Sequence, residues 1–265
     1  MNRPAVVLTQ PELRACALAA SLERRGLDVV RWPLTAIDAL PGIDWPTLAA
    51  TLGGCRWVLL PSPGAIDVVM GALVRHGIAW PTAVGLGVIG PGSREALDAW
   101  RSRLAGLADA RTVEPQRAPH DADSLLAEPA LAALDGVPVA VLRRADGREA
   151  WLHTLRERGA RLHAISVYAA RDAAPPSDAS AWLAARASHD APLAFSVASA
   201  DVGARLGEFV DGLACAAWVR DRPVFTQHPR IAEALARQGW RRVERHAPGA
   251  DGLVGAIESA WPDTP

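Results

Sequence analysis

Leu22-Glu23-Arg24-Arg25-Gly26 and Leu155-Arg156-Glu157-Arg158-Gly159 hold the same place in two copies of one pattern. The first copy, Ala5–Pro33, leads from the apolar strand Val6-Val7-Leu8 into a helix and past Gly26 into a second strand at Val29-Val30. The second copy, Val137–Ala169, leads from a strand at Val137–Leu142 through a helix at Arg148–Arg158, and past Gly159 into a strand at Leu162–Val167. In the first copy Leu13, Ala17, Leu18 and Leu22 recur at helical spacing. Pro11 suits the first helical turn, where a missing N–H costs nothing. A glycine at the far end of each helix supplies the stop.

Two further pairs repeat in the same order. Leu60-Pro61-Ser62-Pro63-Gly64-Ala65 and Phe195-Ser196-Val197-Ala198-Ser199-Ala200 each end a strand, turn and open a helix. Gly90-Pro91-Gly92-Ser93-Arg94-Glu95-Ala96-Leu97 and His228-Pro229-Arg230-Ile231-Ala232-Glu233-Ala234-Leu235 do likewise. Between them the pattern predicts strands at Trp57–Leu60, Gly87–Ile89, Arg111–Val113, Pro192–Phe195, Ala214–Trp218, Val224-Phe225 and Arg242–Arg245. It predicts helices at Ala65–Arg75, Ser93–Trp100, Ser124–Leu134, Ala200–Phe209, Arg230–Gln238 and Asp251–Trp261. Strands alternating with helices of this length make an α/β protein with parallel sheets.

Two proline-bearing stretches, Trp32–Asp44 and Ala169–Asp178, interrupt the rhythm and read as extended connections. Each follows the first strand–helix–strand unit of its copy. The expected seams therefore put residues 1–34 with 172–265 in one discontinuous domain and 40–166 in the other. Residues 35–39 and 167–171 would be the two crossings, lying side by side as a two-stranded hinge.

Composition excludes several classes. The chain has 265 residues, half of them apolar, enough for two ordinary cores. No apolar run reaches the length of a membrane span, and the N-terminal residues carry no signal core, so a cytoplasmic protein is expected. The formal net charge of −1 argues against a nucleic-acid binder. Cys16, Cys55 and Cys215 are odd in number and far apart, which suggests neither a disulfide framework nor a zinc site. The seven histidines show no ligand spacing, so no metal is expected. Arginine supplies the basic residues, and Tyr168 is the only tyrosine.

No nucleophile elbow, phosphate loop or zinc-protease motif occurs. Gly85-Leu86-Gly87-Val88-Ile89-Gly90 has dinucleotide-type glycine spacing, but its glycines straddle a strand instead of following one. Chemistry is then expected in the turns after strand ends, where open α/β sheets bind ligands and the following helices present unpaired N–H groups. The turns are Thr9-Gln10-Pro11, Ser62-Pro63-Gly64, Gly90–Ser93, Arg143–Arg148, Ser196–Ser199 and Thr226–Arg230. A cleft lined by them would suit a polyanion. The plain alternative for any one hydroxyl here is helix capping.

Leu142-Arg143-Arg144-Ala145-Asp146-Gly147-Arg148-Glu149 resembles the L-R-G-x-G-G-R-E turn of uroporphyrinogen-III synthases, with Arg144 and Asp146 in place of two glycines. Leu155–Ala160 followed by Val167-Tyr168 is similar to that family's T-L-x-x-R-G-A and V-Y. Val88–Ser93 resembles its V-G-P-G-T turn, Asp123–Leu126 a shortened D-S-E-x-L-L, and Pro229–Ala234 its S-P-R-I-A-E-A. The departures are Gln10 in T-R-P, Pro61 and Gly64 in F-T-S-P-N-A, and His228 in S-P-R.

The resemblance implies two flavodoxin-like parallel-sheet domains joined by a two-stranded extended hinge, with the active site in the cleft between them. It implies a lyase that converts hydroxymethylbilane, a linear tetrapyrrole, to uroporphyrinogen III in haem biosynthesis, losing water and inverting ring D without a cofactor. Tyr168 matches the family tyrosine proposed to assist departure of the hydroxyl, and a phenol, titrating near about pH 10, can donate its proton at neutrality. The substrate-binding candidates are Thr9, Ser62, Gly64, Ser93, Arg143, Gly147, Arg148, Ser199, Thr226, His228 and Arg230. Arg143, Arg148 and Arg230 are the candidate carboxylate ligands. A monomer is expected, with no nucleic-acid or membrane partner; a transient contact with the preceding pathway enzyme is the one protein partnership considered. The rival reading is a cytoplasmic two-domain sensor that binds a small anion or tetrapyrrole without catalysis.

Overall fold

The computed structural model describes residues 3–117, 120–147 and 149–261. The chain begins β1 (Ala5–Leu8), α1 (Glu12–Glu23), β2 (Asp28–Arg31), β3 (Thr35–Ala39), α2 (Trp45–Gly53), β4 (Trp57–Leu60), α3 (Pro63–Arg75) and β5 (Gly85–Val88). It continues α4 (Gly90–Arg101), β6 (Thr112–Val113), α5 (Ala122–Leu126), β7 (Pro138–Arg144), α6 (Ala150–Glu157), β8 (Arg161–Asp172), α7 (Ala179–Ser188) and β9 (Leu193–Ser196). It closes with α8 (Ala200–Asp211), α9 (Ala216–Arg220), β10 (Pro223–Thr226), α10 (Pro229–Arg237), β11 (Arg242–Arg245) and α11 (Gly249–Ala260). Two compact units result: Met1–Ala36 with Arg171–Pro265, and Ile37–Ala170.

The first unit is a five-stranded sheet in the order β11-β10-β9-β1-β2, with parallel pairing throughout. Helices cover both faces, so its central strands are buried at every position, and apolar up to the closing Ser196 of β9 and Thr226 of β10. All four residues of β1 are buried. Ala5 and Val7 enter a core with Phe195 and Leu206, and Val6 and Leu8 enter a separate core with Leu22 and Phe225. On α8, Arg205 donates to the Leu34 carbonyl (2.8 Å) and the Thr35 hydroxyl (3.0 Å) and pairs with Asp172 (2.7 Å). One side chain thus holds two segments far apart in sequence.

The second unit has a six-stranded sheet in the order β3-β8-β7-β4-β5-β6. Leaving β3 aside, β7 and β8 stand where β1 and β2 stand in the first sheet, and β4, β5 and β6 where β9, β10 and β11 stand. Counted along the chain, the first sheet has the flavodoxin-like order 2-1-3-4-5, and the second is its circular permutation, 3-2-1-4-5. The repeated pentapeptides fall at equivalent points: Gly26 (φ 80°) and Gly159 (φ 78°) take the left-handed conformation just after α1 and α6.

Gly85 and Gly87 owe their spacing to packing. They lie on β5 opposite Trp57 and Leu59 of β4, and a Cβ at either position would run into those side chains. No phosphate loop is involved.

Two expectations are corrected. Ala214–Trp218 reads as a strand in the sequence, but α9 occupies Ala216–Arg220; a short apolar run does not distinguish the two, and here Val219 packs into the core from a helix. The expected helix Ser124–Leu134 ends at Leu126, and Pro129 starts a separate 3-10 turn at Pro129–Leu131. Its leucines are buried all the same: Leu125, Leu126, Leu131 and Leu134 share a core with Trp57 and Trp151. Helices α2 and α7 lie where the sequence pattern predicts none. Asp44 caps α2 by accepting the Thr47 N–H at 3.1 Å, which holds its carboxyl below the usual range. Among the described residues no helix is long and apolar enough to cross a membrane, and no metal-ligating cluster occurs.

Replacing Gly85 with Ala should lower unfolding stability by about 1–3 kcal/mol through overpacking against Trp57. Gly255→Ala, inside α11 with nothing within 4 Å of the new methyl, should raise it by about 0.5–1 kcal/mol. Urea denaturation followed by tryptophan fluorescence measures both.

Candidate functional site

A parallel sheet sends every strand's carboxyl end to one edge, and the crevice opens where the chain order reverses. In the second unit that point lies between β7 and β4, and in the first between β1 and β9.

In the second unit Ser62 follows β4 and caps α3, its hydroxyl accepting the Ala65 N–H at 3.2 Å. The same oxygen lies 2.9 Å from the Tyr168 hydroxyl, 106 residues away. Tyr168 is 6% exposed. A β-bulge aims it: Arg143 pairs with Ser166 but Arg144 pairs with Tyr168, so Val167 is the extra residue. Successive strand residues normally face opposite sides, yet Val167 and Tyr168 enter the same core. The bulge turns the phenol towards α3. Gly64 makes the room, since a Cβ there would lie 3.1 Å from the Tyr168 ring and 3.0 Å from Ile37. The Ser62 oxygen accepts from Ala65 and still has a proton to give to the phenolic oxygen. In that arrangement the phenolic proton is left for a ligand.

The turn after β7 is tied to itself. Arg143, with its side chain 12% exposed, donates to the Gly147 carbonyl (2.6 Å) and to Glu149 (2.7 Å), while its Nε is buried without a partner. Arg144 pairs with Asp146. Arg148 lies outside the described residues. Ser93 is buried within the first turn of α4.

In the first unit Thr9 and Gln10 reach across the reversal from β1 to β9. Thr9 donates to the Ser196 carbonyl at 2.8 Å, and the Gln10 amide donates to the Ser196 hydroxyl at 2.7 Å. The Gln10 Oε1 and the Thr226 hydroxyl are buried without protein partners. Ser199 caps α8 by accepting the Val202 N–H (3.3 Å), and His228 caps α10 by accepting the Arg230 N–H through Nδ1 (3.1 Å). His228 and Arg230 are exposed.

The structure thus brings Ser62, Gly64 and Tyr168 together in one unit, with Arg143 and Gly147 on the turn beside β8. It places Thr9, Ser199, Thr226, His228 and Arg230 along the carboxyl edge of the other. Ser62, Ser199 and His228 are helix caps. Sequence reasoning names Gln10 and Ser196 as members of their turns; neither pairing is visible without the strand order. A depression of about 590 Å³ at the amino ends of β7 and β8, lined by Thr51, Arg161 and His163, lies away from these residues.

A family model described as "Uroporphyrinogen-III synthase HemD" matches residues 17–255. No curated protein matches the chain significantly. Among solved structures, uroporphyrinogen-III synthetase of Helicobacter pylori is similar at 11% identity and a TM-score of 0.52, over 97% of this chain and 99% of that one. A mutant uroporphyrinogen III synthase of Thermus thermophilus is similar at 17% identity and a TM-score of 0.48, over 98% of this chain and 100% of that one. At these identities the Helicobacter likeness speaks for the fold.

Gly64→Ala should displace the Tyr168 ring while leaving the sheet intact. The near-ultraviolet circular dichroism of the lone tyrosine's surroundings should change, and unfolding stability should fall by about 1–2 kcal/mol. Tyr168→Phe in the Gly64→Ala background should not restore it, because the clash is with the ring.

Proposed function

The chain belongs to the uroporphyrinogen-III synthase family, and on that premise we propose that it cyclises hydroxymethylbilane to uroporphyrinogen III. The observation that carries the reading is the chain's one phenol, Tyr168, held 2.9 Å from a helix-capping hydroxyl at the carboxyl edge of a parallel sheet.

The substrate supplies most of the reactivity. Electron release from a pyrrole nitrogen expels the hydroxyl of the terminal hydroxymethyl group and leaves an azafulvenium cation. The C–O bond breaks, and the leaving oxygen takes a proton to depart as water. In this reading Tyr168 donates that proton, and Ser62, hydrogen-bonded to its oxygen, eases the charge left behind. The cation is then attacked by the substituted carbon of ring D, giving a spiro intermediate. That intermediate opens and recloses with ring D inverted. The proton lost when the pyrroles regain aromaticity restores the phenol, so the sum is one bilane to one macrocycle and one water. No cofactor is required, because no electrons are exchanged with the protein.

The remaining task is to hold a carboxylate-rich chain still, and oriented binding carries much of the rate. Exposed Arg230 beside the α10 N-terminus suits one carboxylate through a charge-assisted hydrogen bond. Ser199 and the N–H groups opening α8 suit another. Arg143 and Arg148 belong to the same function in the other unit. In this reading the chain is a hydro-lyase, and we place it in the cytoplasm as a monomer.

Tyr168→Phe should lower kcat for consumption of freshly generated hydroxymethylbilane by about 10- to 100-fold, below the full range of general-acid effects because the substrate is labile. Arg230→Met should raise KM by about tenfold, the size of one charged hydrogen bond, with a smaller change in kcat. Full turnover by Tyr168→Phe would remove the phenol from the chemistry.

A further inference from the structure

The end of β7 carries Arg143 and Arg144, and the stretch from there to the start of α6 carries two acids, Asp146 and Glu149. Both acids are spent on arginines of the same turn: Glu149 on Arg143 at 2.7 Å, and Asp146 on Arg144. Glu149 occupies the cap position of α6, yet its carboxylate makes no capping hydrogen bond. Asp44 and Asp121, at the same position of α2 and α5, do accept backbone N–H groups, from Thr47 and Ser124. The Glu149 carboxylate is therefore committed to a guanidinium and not to its helix.

The two acids are also the loosely held partners. Glu149 is 74% and Asp146 73% exposed, whereas Arg143 is 12% exposed. Arg143 is anchored separately by the Gly147 carbonyl at 2.6 Å. Were Glu149 to swing into water, that anchor would keep the guanidinium in place, with its Nη2 donors turned to whatever anion replaced the glutamate. Exposed ion pairs are weak, so the exchange costs little.

We propose that Glu149 and Asp146 are specificity-determining residues, whose carboxylates stand where carboxylates of the substrate bind and are displaced by them. This rests on the proposed function, in which the ligand is a polycarboxylate. The two acids then set the affinity threshold. A ligand with one carboxylate gains little by replacing one internal pair with another, whereas a ligand that delivers several carboxylates at once prevails through effective concentration.

The test compares the unaltered chain with Glu149→Gln and Asp146→Asn, both nearly isosteric and at exposed positions. Each should lower KM for hydroxymethylbilane by about two- to fivefold, the size of an exposed ion pair. Each should also tighten binding of benzenehexacarboxylate, followed by calorimetry, by a similar factor. The gain should vanish when Arg143→Met is combined with Glu149→Gln. A KM that is unchanged or raised, with unchanged or weaker binding of the probe, would overturn the proposal and leave the acids as braces of the turn. Failure of the unaltered chain to consume hydroxymethylbilane is a different outcome: it strikes the proposed function, and the calorimetric comparison still decides the role of the acids.

Discussion

A parallel strand buried on both faces has no polar side to offer, so whatever chemistry the sheet supports must sit where the strands stop. That constraint governs this chain. The central strands β1, β4, β9 and β10 are buried at every position, and each is followed at once by a turn that opens a helix. Three of the four helices so opened take a side-chain cap from the strand end, and α1, which starts after Pro11, takes none. Ser62, Ser199 and His228 are those caps, and helix capping thereby gathers polar side chains at the carboxyl edges of the sheets.

The two units use this constraint differently. In the second, the cap is shared: Ser62 serves α3 and Tyr168 together, and the bulge at Val167 with the bare Cα of Gly64 brings the phenol to it. In the first, the edge is closed by Thr9 and Gln10 bonding across to Ser196, which leaves the Gln10 Oε1 and the Thr226 hydroxyl as buried acceptors without protein partners. One edge is organised around a phenol, the other around neutral polar groups and an exposed arginine. A duplicated scaffold has acquired unlike sites through a few side chains at equivalent turns.

The α/β class and the family were legible in the sequence, because strands covered on both faces read as short apolar runs and the repeated L-x-x-R-G helix ends fall at matching points. What was lost had physical causes. Helix α2 hides behind the proline-rich stretch that precedes it, and its cap, Asp44, is plain only once the helix is known. Ala214–Trp218 reads as a strand, where α9 occupies Ala216–Arg220, because five residues are too few to show a period. The candidate site could be named residue by residue, Tyr168 and Ser62 among them, but not as a geometry. Their hydrogen bond depends on strand order, and the bulge that aims the phenol leaves no mark on the hydrophobic pattern. The arginines of the β7 turn read as ready ligands in the sequence; that Glu149 and Asp146 already occupy Arg143 and Arg144 follows from side-chain placement alone.

The most direct measurement is the isomer composition of the product. Hydroxymethylbilane released to water closes spontaneously without inverting ring D, giving the type I macrocycle. Incubated with this chain as it is generated, then oxidised and separated chromatographically, it should give the type III isomer as the main product. Type I alone, at the rate seen without protein, would contradict the account.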